Sequence, residues 1–328
     1  MRQIIAEKTA NFVTAKQNEM NRFIVILIAF WCFCSVSAQV ITSIGEQNLK
    51  IPRMEKKQDP KRVTPQGQLP EVDTTSVYFA YVDSAQIFIK QKDWSKAEGF
   101  IKKAIIAEPT NGNNSLLISN LATIQRNQGK LQEALKNYNL ALDMTPNAVT
   151  LLMNRASLLV ELDSLNMASA DYERVVKLDP LQEEARFNHG MIALEQQDPV
   201  KAESDFEEML RYNPNSLLAN EGLGFMHKAM GNYAKATQYL SEVIKASPSV
   251  SLLGNRADCY LMMRKLNEAS EDINNALQVN PDDGYLYLLR ARLNHMRYEN
   301  EAAKRDVQLA IDHGIDPAIA KEILQVAN

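Results

Sequence analysis

SLLISNLATIQRNQGKLQEALKNYNLALDMTP, residues 115–146, carries two apolar stripes separated by a glycine turn and closed by a proline. Ile118 and Ala122 belong to the first stripe; Ala134, Tyr138 and Ala141 form the second. Both follow the i, i+4, i+7 spacing of one helical face. Gln128-Gly129-Lys130 breaks the pattern between them. Pro146 stops the second helix, because it lacks an N–H and its ring clashes with the preceding turn. The stretch predicts two antiparallel helices.

The same frame recurs along the chain. Pro109, Pro146, Pro180, Pro214, Pro248 and Pro281 follow one another at intervals of 37, 34, 34, 34 and 33 residues. A fixed period of that size marks a stack of repeats. With each proline counted as position 32, position 8 is Ala85, Ala122, Ala156, Gly190, Gly224, Ala257 and Ala291. Position 20 is Ala97, Ala134, Ala168, Ala202, Ala236, Ala269 and Ala303. Small residues at both places let the two helix axes approach closely, and overpacking such a contact costs about 1–3 kcal/mol. The copies span residues 78–114, 115–148, 149–182, 183–216, 217–249, 250–283 and 284–316. The first junction is three residues longer than the rest, and Arg186 stands at position 4 of the fourth copy, where a large apolar residue is expected.

At these positions the chain resembles the tetratricopeptide repeat family. The resemblance implies an all-α, right-handed superhelical solenoid of about seven helix-turn-helix repeats over residues 75–328. The segment 317–327 is expected as a C-terminal capping helix, since a terminal repeat needs a cover for its apolar face. The resemblance also implies a concave groove lined by the first helix of each copy. Position 6 there gives Asn120, Asn154, Asn188 and Asn255, and Asn offers both a donor and an acceptor to a peptide backbone. Met153, Phe187, Met191 and Phe225, at positions 5 and 9, are the apolar groove candidates. No copy has Lys at position 5, so the family's chaperone-tail clamp is not implied.

One charge pattern repeats with the frame. Arg155, Arg256 and Arg290 occupy position 7, and Asp171, Asp272 and Asp306 occupy position 23 of the same copies. In the fourth copy the pair is His189 and Asp205. Acids that track cations from one helix to the next predict internal ion pairs rather than a ligand-facing row.

The N-terminus reads differently. Arg22 precedes an apolar run from Phe23 to Phe33, and small residues lead to Ala38. These are the parts of a secretory signal, cut after Ala38, with Met20 as the start that suits it best. The alternative is a retained anchor, although sixteen residues from Phe23 to Ala38 fall short of the roughly 20 needed to cross a bilayer. Residues 39–74 contain Pro52, Pro60, Pro65 and Pro70 and read as a disordered linker. Once the leader is removed, Cys259 is the last cysteine and is expected in the core.

Nothing in the sequence announces chemistry. The formal net charge of −4 over 328 residues gives no basic field for nucleic acid. None of the four histidines pairs with another at ligand spacing, and there is no phosphate loop, nucleophile elbow or His-Glu-x-x-His motif. No cofactor, metal or catalytic residue is expected. The sequence predicts an exported scaffold that binds protein segments in its groove. A structural subunit of an envelope assembly, docked through its outer or terminal surfaces, is the first alternative. A hydrolase on a helical-repeat scaffold is the second, and no acid pair supports it.

Overall fold

The computed structural model describes residues 77–324 as fifteen α-helices with no strand among them. The expected leader and linker lie outside the described residues. The described chain forms two compact units that meet in sequence between Ala185 and Arg186.

The first unit holds α1 (Val77–Lys90), α2 (Trp94–Ala107), α3 (Asn114–Asn127), α4 (Leu131–Met144), α5 (Val149–Glu161) and α6 (Leu165–Leu178). Helix α7 (Glu183–Glu195) begins at its end. The second unit continues through α8 (Pro199–Tyr212), α9 (Leu217–Ala229), α10 (Tyr233–Ala246), α11 (Val250–Met262) and α12 (Leu266–Val279). It closes with α13 (Gly284–Met296), α14 (Asn300–Asp312) and α15 (Pro317–Glu322). Odd-numbered helices from α1 to α13 are the first helices of the copies, and even-numbered ones are the second.

Each pair reverses through the same backbone device. Position 15 has positive φ in every copy: Lys92, Gly129, Asp163, Gln197, Gly231, Arg264 and Tyr298, at 54 to 76°. The next amide then reaches back to the carbonyl at position 11, as in Asp93 to Phe88 (2.9 Å), Asp198 to Ala193 (2.8 Å) and Glu299 to Asn294 (2.8 Å). This is the left-handed helix stop that satisfies orphan carbonyls. Only two of the seven positions carry the glycine that adopts it without strain.

The two helices of a pair meet at the small positions. All seven alanines at position 20 are fully buried. In the fourth copy the apolar residue at position 24 is Phe206, and a Cβ on Gly190 would lie 2.7 Å from its ring. A Cβ on Gly222, at position 6 of the next copy, would lie 2.4 Å from the same ring. That is why the Asn row is interrupted at Gly222.

Ion pairs tie the helices of a pair on another side. Arg155 donates through Nε and Nη2 to both oxygens of Asp171 (2.7 and 2.6 Å). Arg256 does the same to Asp272 (2.8 and 2.7 Å), and Arg290 to Asp306 (3.0 and 2.6 Å). His189 Nδ1 lies 2.7 Å from Asp205 Oδ2. Arg155 and Arg256 also reach position 25 of the preceding copy, Asn139 (2.8 Å) and Ser241 (2.9 Å). Arg186, the anomalous residue at position 4, stands over the Tyr212 ring and 3.9 Å from Asp205. The long first junction is held by Asn114, whose Nδ2 donates to the carbonyls of Glu108 (2.8 Å) and Pro109 (3.1 Å).

Helix α15 lies within the segment expected as the cap, whose last residues, 325–327, are outside the described ones. Asp316 caps it through Ala318 N (2.7 Å). It packs on α14 and buries only Ala320 completely. A helix this short has little stability of its own and depends on that docking.

Two outcomes follow for stability. Gln197→Gly, which removes a side chain from a left-handed position, is expected to raise stability by about 0.5–1 kcal/mol. Gly231→Ala is expected to lower it by a similar amount, and urea melts of the two variants check both. Arg155→Leu strands the buried carboxylate of Asp171 and is expected to cost about 3 kcal/mol, whereas Arg155→Leu with Asp171→Leu recovers most of the loss. Equal losses in the single and double variants would show that the pair does not work as a unit.

Candidate functional site

The faces of the first helices were expected to carry the binding groove, and the structure places their residues deeper than a groove lining requires. Asn120, Asn154, Asn188, Asn255, Met153, Phe187, Met191 and Phe225 are all buried, between 1 and 7 % exposed. Phe187 is held against Phe206, with ring centroids 6.1 Å apart. Asn255 donates to the Ser251 carbonyl (2.9 Å) and accepts from Lys228 Nζ (2.8 Å), so both ends of its amide are engaged inside the protein. The apolar four are packed side chains, because the close helix approach draws positions 5 and 9 inward.

Asn154 and Asn188 differ from Asn255. Asn154 Oδ1 and Asn188 Nδ2 are buried polar atoms without a hydrogen-bond partner. Leaving such a group unsatisfied costs about 1–3 kcal/mol. Since the two ends of an amide are assigned from their surroundings, each of these Asn residues has one unmatched end.

Beside this row run polar contacts between successive copies that sequence reasoning missed. In the first unit Arg126 donates through Nε to both oxygens of Glu161 (3.0 Å each) and through Nη2 to Ser157 Oγ (2.8 Å). Glu98 accepts from Lys102 (2.7 Å) and Lys130 (3.2 Å). Burial pushes the Glu98 carboxyl up, but the hydrogen bonds from Lys102 and Lys130 outweigh it and hold the group at about 2.

In the second unit Asp258 accepts from Lys228 Nζ (2.8 Å) and Arg292 Nη1 (3.0 Å). Burial opposes the Asp258 charge, and the two cations outweigh it, so the carboxyl stays below its usual range. Glu221, at position 5 of the fifth copy, has its carboxyl pushed up to about 7 by burial. A signal for the bridges was present: cations at position 12, Arg126 and Lys228, are followed by acids on the first helix of the next copy, Glu161 and Asp258.

The remaining chemistry-bearing groups are accounted for locally. His227 stacks on Tyr239 at 5.5 Å and His313 on Tyr287 at 5.3 Å. Cys259 is fully buried, and burial pushes its thiol up to about 12. Among the described residues no three His, Cys, Asp or Glu side chains stand together as a metal site. No helix among them is long and apolar enough to cross a membrane.

Comparison with known proteins places this arrangement. Family models described as tetratricopeptide repeat match residues 117–148, 153–217 and 219–250. A solved tetratricopeptide repeat protein from Parabacteroides merdae is 34 % identical, with a TM-score of 0.66. The likeness covers 76 % of this chain and 98 % of that one. Pseudomonas aeruginosa PilF shares the fold at 18 % identity and a TM-score of 0.54, over 65 % of this chain and 96 % of its own. A FAM10 family protein of Arabidopsis thaliana is 32 % identical over 97 residues, which is 29 % of this chain and 22 % of that protein. The chain thus spans about a fifth of the length of that relative. With a seven-fold helical frame, a matching family model and a full-length structural relative, the chain belongs to the tetratricopeptide repeat family.

Proposed function

We propose that this protein is a non-enzymatic scaffold that holds a segment of a partner protein along the faces of its first helices. The observation that supports this is the row of Asn at position 6 of the first helices, within which Asn154 in the first unit and Asn188 in the second each keep one amide end unmatched. An Asn amide offers both a donor and an acceptor, the two functions that a peptide group needs. Recognition of that kind reads the backbone of an extended segment rather than its side chains. The family is built for such work, and no basic field on this chain speaks for nucleic acid.

Export to the cell envelope is part of the proposal and rests on the leader-like run from Arg22 to Ala38. The fold shared with PilF, and with PilW, a type IV pilus biogenesis factor, is compatible with it at 18 and 19 % identity. A second location for the partner is favoured by one observation. The second helices expose Ile106, Met167, Val200 and Val279, each more than half exposed. A subunit docked through that side would use these residues.

In-cell crosslinking of the wild-type protein and of an Asn154→Ala, Asn188→Ala variant separates the two. Loss of the dominant crosslinked protein in the variant, with an unchanged helical spectrum, is the expected result. A partner that persists in this variant and disappears in Met167→Ser with Val200→Ser places the contact on the second helices instead.

A further inference from the structure

The long first junction contains Asn111-Gly112, the only Asn-Gly pair in the sequence. In the next three junctions the amide at position 34 donates to the carbonyl at position 31: Ala148 to Thr145 (3.2 Å), Gln182 to Asp179 (3.2 Å) and Ser216 to Asn213 (3.0 Å). Asn111, at position 34 of the first copy, makes the same bond to Glu108 (3.1 Å). Gly112 then intervenes before α3 begins. It is exposed, a Cβ built on it would meet nothing within 4 Å, and no hydrogen bond outside the helices uses its amide as donor.

The Asn111 side chain is held at both ends of its amide. Its Oδ1 accepts from the Asn113 amide (2.9 Å), and its Nδ2 donates to Glu108 Oε2 (2.7 Å). An N–H on Oδ1 stabilises the negative charge this oxygen gains when a nucleophile adds to Cγ. The Gly112 nitrogen is that nucleophile: its attack closes a succinimide ring within the chain, and no side chain on Gly112 obstructs it. Other junction asparagines lack the combination. Asn147 and Asn215 are followed by the bonded amides of Ala148 and Ser216, and Asn213 and Asn280 by prolines, which have no N–H.

We propose that Asn111 is a self-modifying site, whose conversion to aspartate and isoaspartate loosens the first helix pair from α3. The Gly112 amide gives its proton to solvent base and its nitrogen bonds to Cγ. The Cγ–Nδ2 bond breaks, and ammonia leaves after taking a proton from water. Water then opens the succinimide at either carbonyl, so one water is consumed and one ammonia released, with no change of oxidation state. In both products a carboxylate oxygen replaces the Nδ2 donor, and two like charges face each other where the hydrogen bond to Glu108 stood. The isoaspartate product also reroutes the backbone through the former side chain. Glu108 matters to the junction because its carbonyl takes both the Asn111 amide and Asn114 Nδ2 (2.8 Å).

The test incubates the full chain at mildly acidic and mildly alkaline pH, folded and in urea. Peptide mapping by mass spectrometry and isoaspartyl methyltransferase labelling follow each asparagine. Asn111 is expected to convert ahead of Asn147 and Asn215, faster in alkali, and at least as fast in the folded chain as in urea. Gly112→Ala, for which the structure has room, should slow conversion about tenfold or more, a barrier change of about 1.4 kcal/mol, with an unchanged helical spectrum. Hydrogen exchange reads the consequence: amides of α1 and α2 should exchange faster in the converted chain than in the fresh one, while those of α5 and α6 stay the same. Gly112→Ala incubated alike should keep the slow pattern. Protection of Asn111 by folding, or conversion that Gly112→Ala does not slow, overturns the site. Conversion without faster exchange in α1 and α2 overturns the loosening.

Discussion

Close approach of two helices at positions 8 and 20 is the constraint on which this protein depends. Fourteen small residues meet there, and the volume available is so tight that neighbouring residues must compensate for one another. Phe206 fits only because Gly190 and Gly222 have no Cβ, and a Cβ on Gly224 would lie 2.8 Å from Leu240. Protein interiors are packed densely enough that a misplaced methyl group is felt. With the helix spacing fixed, the side chains on the remaining faces are fixed too. Position 7 meets position 23 across the pair, and position 12 meets the first helix of the next copy.

Most of the fold was legible in the sequence because it is written seven times. A single Gly or Ala says little, but Ala at position 20 in every copy leaves one interpretation, and Pro at position 32 marks where six of the seven second helices end. The left-handed turns were only partly legible. Gly129 and Gly231 announce them, whereas Lys92, Gln197 and Arg264 adopt the same conformation without a residue that prefers it. Tertiary packing of the two helices overrides local preference there.

The candidate site was less legible. Asn154 and Asn188 stand out because each keeps an unmatched amide end, and that depends on neighbours that no sequence period reveals. Met153, Phe187, Met191 and Phe225 seemed to offer an apolar lining, yet burial turns them into core. Periodicity places a residue on a face; it does not say how deep that face lies. The bridges at Glu161 and Asp258 each join two copies, so the spacing within a single copy does not reveal them. Burial of charge in such bridges gives the junctions that carry them a directional lock, in addition to the apolar contact that any helix could make.

Photocrosslinking from single sites in the protein tests the central claim most directly. A photoreactive residue is placed at Leu194 or Leu218, which are half-buried on first helices, and in separate variants at the exposed Met167 or Val200 on second helices. The account predicts that one protein is captured from the first-helix sites and is absent from the second-helix sites. Capture from Met167 and Val200 alone would contradict it, and would make the first-helix faces part of the protein's interior rather than its working surface.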